Sequence, residues 1–287
     1  MNGGVVAEFS VLIDGVDFGE GPRWHEDRLW YSDFYQHSVY TVDMEGNRER
    51  IVEVAEQPSG LGWMPDGSLL IVSMVDRKVL RFADGQLSEH ASLSHIAPFH
   101  CNDMVVDGRG NAYVGNFGFD LFSDGIEGAA PADLALVRAD GSVEVAAEAL
   151  MFPNGSVITP DGNTLIVGET MGARYTAFDI AADGTLSNRR VWAEVPGYVP
   201  DGCALDAAGG IWFADAQGNR VARVVEGGEV TDVLDLGVPT FACMLGGPAG
   251  RTLFALTAPS STPTEVAGQA AGAILITEVD VPHAGLP

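Results

Sequence analysis

The sequence predicts an all-β chain folded as a six-bladed β-propeller, and three observations carry that prediction. Six short apolar runs recur along the chain, each behind a turn bearing Gly or Asp. A second short run precedes each of these turns, so every pair reads as a hairpin, and the hairpins repeat at roughly the 40–50-residue spacing of propeller blades. No long stretch shows an apolar period near 3.6 residues, which leaves little room for helices.

The first unit opens with GPRW (21–24) and LWYSD (29–33), followed by SVYTV (38–42). The second carries GLGW (60–63), the Asp66-Gly67 turn, LLIVS (69–73) and KVLRF (78–82). In the third, DMVV (103–106), Asp107-Gly108 and AYVGN (112–116) lead to ALVR (135–138), and then, past Asp140-Gly141, to VEV (143–145). GSVI (155–158), Asp161-Gly162, TLIVG (164–168) and YTAF (175–178) make the fourth. GCAL (202–205), Gly209-Gly210, IWFAD (211–215) and RVARV (220–224) make the fifth, and FACM (241–244) with TLFAL (252–256) the sixth. The Asp-Gly and Gly-Gly pairs supply the positive φ angles of tight hairpins. The early run VVAEFSVL (5–12) is expected to form the outer strand of the last blade, closing the circle and hiding its edges. The six units account for residues 1–287 as one propeller domain.

Forty acidic residues against fifteen basic ones give a formal charge of −25, which repels phosphate backbones and anionic membrane surfaces. Neither nucleic acid nor a membrane is therefore an expected partner. Cys101, Cys203 and Cys243 are an odd set without CxxC spacing, which fits neither a disulfide framework nor a thiolate metal site. The opening residues lack the charged and apolar regions of a signal peptide, and no run reaches membrane-spanning length. The cytoplasm is the expected compartment.

In a propeller the innermost strands all start at one end of the central channel, so equivalent residues ahead of them converge on the axis. Here these are read as Glu20, Ser59, Asn102, Asn154, Asp201 and Thr240, all polar beside mostly apolar strands. Two carboxylates and two carboxamides drawn to one point need a counter-charge or stay unsatisfied. A divalent cation supplies it; oxygen-only ligands favour Ca²⁺, Mg²⁺ or Mn²⁺, with Zn²⁺ open in an oxygen-rich catalytic site. Buried water hydrogen-bonded along the channel is the other reading of such a ring. Ser59 and Thr240 are read as channel lining.

EGPRW (20–24), Asn102-Asp103 with VVD (105–107) behind it, Pro153-Asn154-Gly155 and Pro200-Asp201-Gly202 resemble the signatures of the regucalcin/gluconolactonase family of lactone hydrolases. LSNRR (186–190) and Gly246-Gly247 fit as well, and the motifs occur in the family's order over nearly the full length. The resemblance implies a six-bladed propeller, a divalent ion held by Glu20, Asn154 and Asp201, and hydrolysis of lactones, often sugar lactones. It also implies that Asn102 touches substrate or water at the ion. Where members that bind sugar lactones carry an Arg two residues before that Asn, this chain has His100, which lacks the forked set of donors. An acidic residue that meets sugar hydroxyls falls near Asp120. His100, Asn102 and Asp120 are thus the expected substrate contacts. Phe99, Phe117, Phe119, Leu121, Phe122, Met151, Phe152, Met171 and Tyr198 suggest an apolar rim and a substrate bulkier or less hydroxylated than a sugar lactone. Residues 118–133 form a candidate lid.

The chemistry expected at such a site is polarisation of the ester carbonyl by the ion, with Ca²⁺ the first choice. Asp201, able to coordinate and still present a free oxygen, is the expected base for the attacking water. Asp103 is read either as a partner behind the site or as a turn residue. No nucleophile elbow, HExxH or phosphate loop competes, and the cysteines read as packing. Two other functions fit the same ring: an organophosphate or aryl-ester hydrolase, and a non-enzymatic propeller whose ion rivets the blades.

Overall fold

Residues 8–287, described by a computed structural model, fold into six four-stranded antiparallel sheets that follow one another along the chain. The first blade is β2 (Gly19–His25), β3 (Arg28–Asp33), β4 (Ser38–Val42) and β5 (Arg48–Glu53). The second is β6 (Pro58–Trp63), β7 (Leu69–Ser73), β8 (Lys78–Ala83) and β9 (Gln86–Ser92). The third comprises β10 (Cys101–Val106), β11 (Ala112–Asn116), β12 (Ala132–Val137) and β13 (Val143–Leu150). The fourth comprises β14 (Pro153–Ile158), β15 (Thr164–Glu169), β16 (Arg174–Ile180) and β17 (Leu186–Glu194). β18 (Pro200–Leu205), β19 (Ile211–Asp215), β20 (Arg220–Val224) and β21 (Val230–Asp235) form the fifth.

The sixth blade draws on both ends of the described chain. β22 (Thr240–Gly246), β23 (Thr252–Thr257) and β24 (Gly272–Glu278) are completed by β1 (Ser10–Val16), in the order β1-β24-β23-β22. Ser10 stands opposite Ile276 and Val16 opposite Gly272. The strand opens at Ser10, later than the 5–12 run suggests, and Phe9, Leu12, Ile13 and Val16 reach the core shared with the first blade. Val5, Val6 and Ala7 lie outside the described residues.

Burial orients each blade. The innermost strands β10, β14 and β18 are buried at every residue, whereas the outer β5, β13 and β21 keep most of theirs in contact with solvent. Blade faces then lock through apolar layers, one of which stacks Trp24 on Phe254 at 5.5 Å between ring centres. Each large apolar side chain buried this way stabilises the fold by roughly 1.5–3 kcal/mol. Helix is confined to loops: α1 (Leu121–Asp124) and a 3-10 turn (Ile126–Gly128) lie between β11 and β12, a second 3-10 turn (Thr170–Gly172) between β15 and β16, and α2 (Pro263–Val266) between β23 and β24. Among the described residues no helix is long and apolar enough to cross a membrane.

One irregularity recurs in all six blades. The register of each innermost strand slips at its axial end, between Glu20 and Arg23, Pro58 and Leu61, Cys101 and Met104, Pro153 and Ser156, Pro200 and Cys203, and Thr240 and Ala242. Such a bulge bends the strand and re-aims the side chains beside it. Glycine after the re-aimed residue lets neighbouring strands nearly touch. A Cβ on Gly155 would stand 2.4 Å from the Asp201 carbonyl oxygen, and one on Gly202 would stand 2.6 Å from Ala242 Cβ.

Candidate active site

The pairing fixes which residues are equivalent around the axis. Gly19, Pro58, Cys101, Pro153 and Pro200 each face the last residue of the second strand of their blade, and in the sixth blade Thr240 does so, opposite Thr257. The next residues are Glu20, Ser59, Asn102, Asn154, Asp201 and Phe241. The sixth axial position is therefore Phe241 rather than Thr240, whose hydroxyl donates to the Val238 carbonyl at 3.1 Å. The sequence marks the other five with an adjoining Gly or the Asn-Asp pair; blade six has no such mark, so a one-residue slip passed unnoticed.

Glu20, Asn102, Asn154 and Asp201 form the polar floor of a cavity of about 170 Å³. Ser59 sits behind it, donating to Asn102 Oδ1 at 3.3 Å. That bond takes one lone pair of the amide oxygen and leaves the N–H pair for a ligand. Asn154 is held more tightly. Its Nδ2 donates to Asp201 Oδ1 at 2.6 Å and to Thr170 Oγ1 at 3.0 Å. Thr170 donates its only proton to the Pro200 carbonyl at 2.8 Å, an atom that can only accept, so toward Asn154 the hydroxyl can only accept. This fixes which end of the Asn154 amide is nitrogen, and it leaves Oδ1 buried with no donor.

Electrostatics point the same way. Burial, and then the neighbouring Asp201 and Asp103, push the Glu20 carboxyl well above the usual carboxylate range. Burial raises Asp201 to about 8, with Asp103 adding to the rise and the Asn154 donor opposing it. Buried Arg23 eases Glu20 only in part, as the smallest of its influences. Arg23, 2% exposed, is committed to Asp103 Oδ1 at 2.5 Å, to the carbonyls of Met104 at 2.7 Å and Leu61 at 2.9 Å, and to Pro22 O at 2.7 Å. Asp103 is thus the partner of a buried arginine behind the floor, and Arg23, to which sequence reasoning assigned no role, anchors three blades there.

Two buried carboxyls and an amide oxygen without a donor suit a hard divalent ion, which takes oxygen ligands. Among the described residues no three His, Cys, Asp or Glu side chains gather to hold a metal, so an ion here would draw on neutral oxygens, such as that of the Asn154 amide, beside Glu20 and Asp201. The thiols take no part in such a set. All three are buried, and burial pushes Cys101 up to about 12.

The walls come from two further pseudo-symmetric rings. Side chains two apart on a strand share a face, so the residue two before each floor position rises above it: Phe18, Gln57, His100, Phe152, Val199 and Pro239. The residue after each second strand supplies the other ring: Phe34, Met74, Phe117, Thr170, Ala216 and Ala258. A backbone bond clasps the two rings in every blade, from Phe34 N to Phe18 O (3.0 Å), Met74 to Gln57 (2.9 Å), Phe117 to His100 (3.0 Å), Thr170 to Phe152 (3.1 Å), Ala216 to Val199 (3.0 Å) and Ala258 to Pro239 (3.3 Å). Thr170 is the one polar member of its ring, a signal that aligning the ends of the second strands would have revealed.

Of the apolar rim read from sequence, Phe117, Leu121, Phe122, Phe152 and Met171 line the cavity. Phe119 packs behind Phe152 at 6.3 Å, and Tyr198 packs on Phe213 at 5.6 Å under Arg220. Phe18, Phe34, Tyr35, Met74 and Phe241 join the lining instead. His100 and Asp120 stand outside it. His100 stacks flat on Phe99 at 4.0 Å, its Nδ1 buried without a partner, and burial lowers its pKa. The Asp120 carboxylate caps α1, accepting from the Phe122 and Ser123 amides at 3.1 and 2.9 Å. The segment read as a lid lies at the mouth, where Leu121, Phe122 and Ile126 line the opening.

A six-bladed propeller with an oxygen-lined pocket on its axis is the class this geometry defines. The chain belongs to the SMP-30/gluconolactonase/LRE-like family, whose family model matches residues 18–259. It is 30% identical to the pentonolactonase XacC of Haloferax volcanii over 96% of this chain and 95% of that protein. It is 28% identical to a 6-deoxy-6-sulfogluconolactonase of Pseudomonas putida over 99% and 96%. In fold it is similar to a calcium-binding regucalcin of Agrobacterium tumefaciens, with a TM-score of 0.81, 21% identity, and coverage of 98% of this chain and 97% of that one.

Proposed function

We propose that this chain is a metal-dependent lactonase that opens a cyclic ester with water, acting on a small-molecule lactone less hydroxylated than a sugar lactone. Membership of a family with lactonase relatives supports the reaction class. The observation that carries the metal dependence is the Asn154 amide oxygen, buried without a donor beside two buried carboxyls. Glu20, Asn154 and Asp201 would hold the ion, with Ca²⁺ the first choice and Zn²⁺, Mn²⁺ or Mg²⁺ the alternatives. A divalent ion held there would supply Lewis-acid polarisation of the ester carbonyl and a counter-charge for the oxygen during attack.

The remaining work falls to side chains. Asp201, pinned through Oδ1 by Asn154, takes a proton from the attacking water as the water oxygen bonds to the carbonyl carbon. The ring C–O bond then breaks, and the proton passes to the departing ring oxygen, giving a hydroxy acid that ionises. Asn102 orients the ester through its amide N–H groups, and the apolar walls keep bulk water from the reacting carbon. Chelating the metal from the purified protein is expected to abolish lactone hydrolysis in a pH-stat assay, and added Ca²⁺ to restore it. Full turnover after complete metal removal would overturn the reading.

A further inference from the structure

The walls of the cavity also narrow the substrate, and the argument rests on the lactonase reading above. We propose that the substrate is a monocyclic lactone whose ring carries a short, hydroxyl-free alkyl or aryl substituent, held between the Phe117–Phe152 pair and the Phe18–Phe241 pair. These pairs pack at 4.5 and 4.7 Å and belong to blades on different sides of the axis.

Of the twelve positions in the two clasped rings nine line the cavity, all but His100, Pro239 and Ala258, and Gln57, His100 and Thr170 are the polar members of the rings. Thr170 is engaged on both sides by Asn154 and Pro200, and His100 lies outside the lining. Gln57 is left as the polar side chain of these rings that a ligand can meet. No Lys, Arg or His lines the cavity, so no cation there pairs with a sulfonate, and above the floor the polar side chains of Gln57, Gln217 and Ser261 are outnumbered by Phe, Met, Leu, Ile and Val. A hydroxyl buried against such walls without a partner lowers kcat/KM roughly ten- to a hundredfold. An added methylene in contact with them raises it about fourfold.

Size and the mouth agree. At about 170 Å³ the cavity is smaller than the ~300–1,000 Å³ of drug-sized sites, which suits one small ring with a short substituent. Phe122 and Ile126 at the opening are 48% and 59% exposed, large apolar groups that a substituent leaving the cavity would cover.

The test is a kcat/KM series on the Ca²⁺-loaded protein, from γ-valerolactone to γ-nonalactone, beside a pentono-1,4-lactone with the same ring. The alkyl series is expected to climb about fourfold per methylene until the chain passes Phe122. The pentonolactone is expected to lie at least ~100-fold below the best alkyl lactone. Phe122→Ser, at an exposed position compatible with folding, should reduce the step to less than about twofold per methylene. A flat alkyl series, or preference for the pentonolactone, would refute the apolar substituent while leaving lactone hydrolysis standing. Failure to open any lactone with the metal bound would sink both.

Discussion

Replacing Thr170 by Val removes one oxygen and keeps the side-chain shape, so it asks what that hydroxyl does for Asn154. Two buried bonds are lost, from Asn154 Nδ2 at 3.0 Å and to Pro200 O at 2.8 Å. At a net ~0.5–1.5 kcal/mol each, stability should fall by about 1–3 kcal/mol, leaving the protein folded. The larger consequence concerns orientation. With Asp201 raised to about 8 it carries a proton in the metal-free protein near neutrality, and a protonated Asp201 can donate to a flipped Asn154 amide. Thr170 alone forbids that flip, because its proton is fixed on Pro200 and it can only accept. In Thr170→Val the amide nitrogen is free to turn toward the ion position. Removing a partner that orients a metal ligand weakens affinity about 10- to 100-fold, or roughly 1.4–2.7 kcal/mol. Calorimetric titration of Ca²⁺ into the metal-free proteins measures this directly, with Thr170→Ser as the control that restores the hydroxyl. Thr170→Val binding Ca²⁺ within about twofold of the parent protein, at an unchanged far-UV spectrum, would show that the amide needs no such lock.

Asp201→Ala and Glu20→Gln should each keep the fold and lose at least ~100-fold in kcat/KM, read from lactone hydrolysis alongside circular dichroism; activity near the parental level in either would remove that residue from the site. In the metal-free protein Glu20 and Asp201 titrate above their unfolded values, so between the unfolded carboxylate range near pH ~4 and pH about 8 the folded state binds more protons. Stability should therefore fall as pH rises through that window, and saturating Ca²⁺ should flatten the slope; a metal-free Tm that rises from pH 5 to 8 contradicts the assignment. Asp103→Asn leaves Arg23 buried without its counter-ion and should cost about 3–5 kcal/mol in urea unfolding. A loss under ~1 kcal/mol would mean that the carbonyls of Leu61, Pro22 and Met104 satisfy Arg23 unaided.

Blade number and strand order were legible because each blade repeats the same hairpin, with Gly-bearing turns at matching places. The polar floor was legible for a related reason: Glu20, Asn154 and Asp201 stand out as hydrophilic residues against buried strands, each with a Gly beside it that the close approach of the next strand requires. Phe241 was missed because neither a Gly nor a second polar residue marks its bulge. The walls were harder to read. Phe18 and Phe34 are sixteen residues apart in sequence and meet only through a clasp between backbone atoms, which leaves no trace in side-chain chemistry. His100 and Asp120 are expected substrate contacts by family resemblance alone; in the structure His100 stacks on Phe99 beside Phe117 and Phe122, which line the cavity, and Asp120 caps α1.

The clasps that join the two wall rings use main-chain atoms alone, so exchanging any side chain they carry leaves them intact. Apart from Thr170, which also holds the Asn154 amide, the wall side chains can change while the oxygens below keep their geometry. Walls and floor thus sit on successive stretches of each blade, and a designer reshaping the chamber would start from Gln57 and Val199, since Phe18, Met74, Phe117 and Phe152 belong to one buried apolar cluster whose loss would cost the fold.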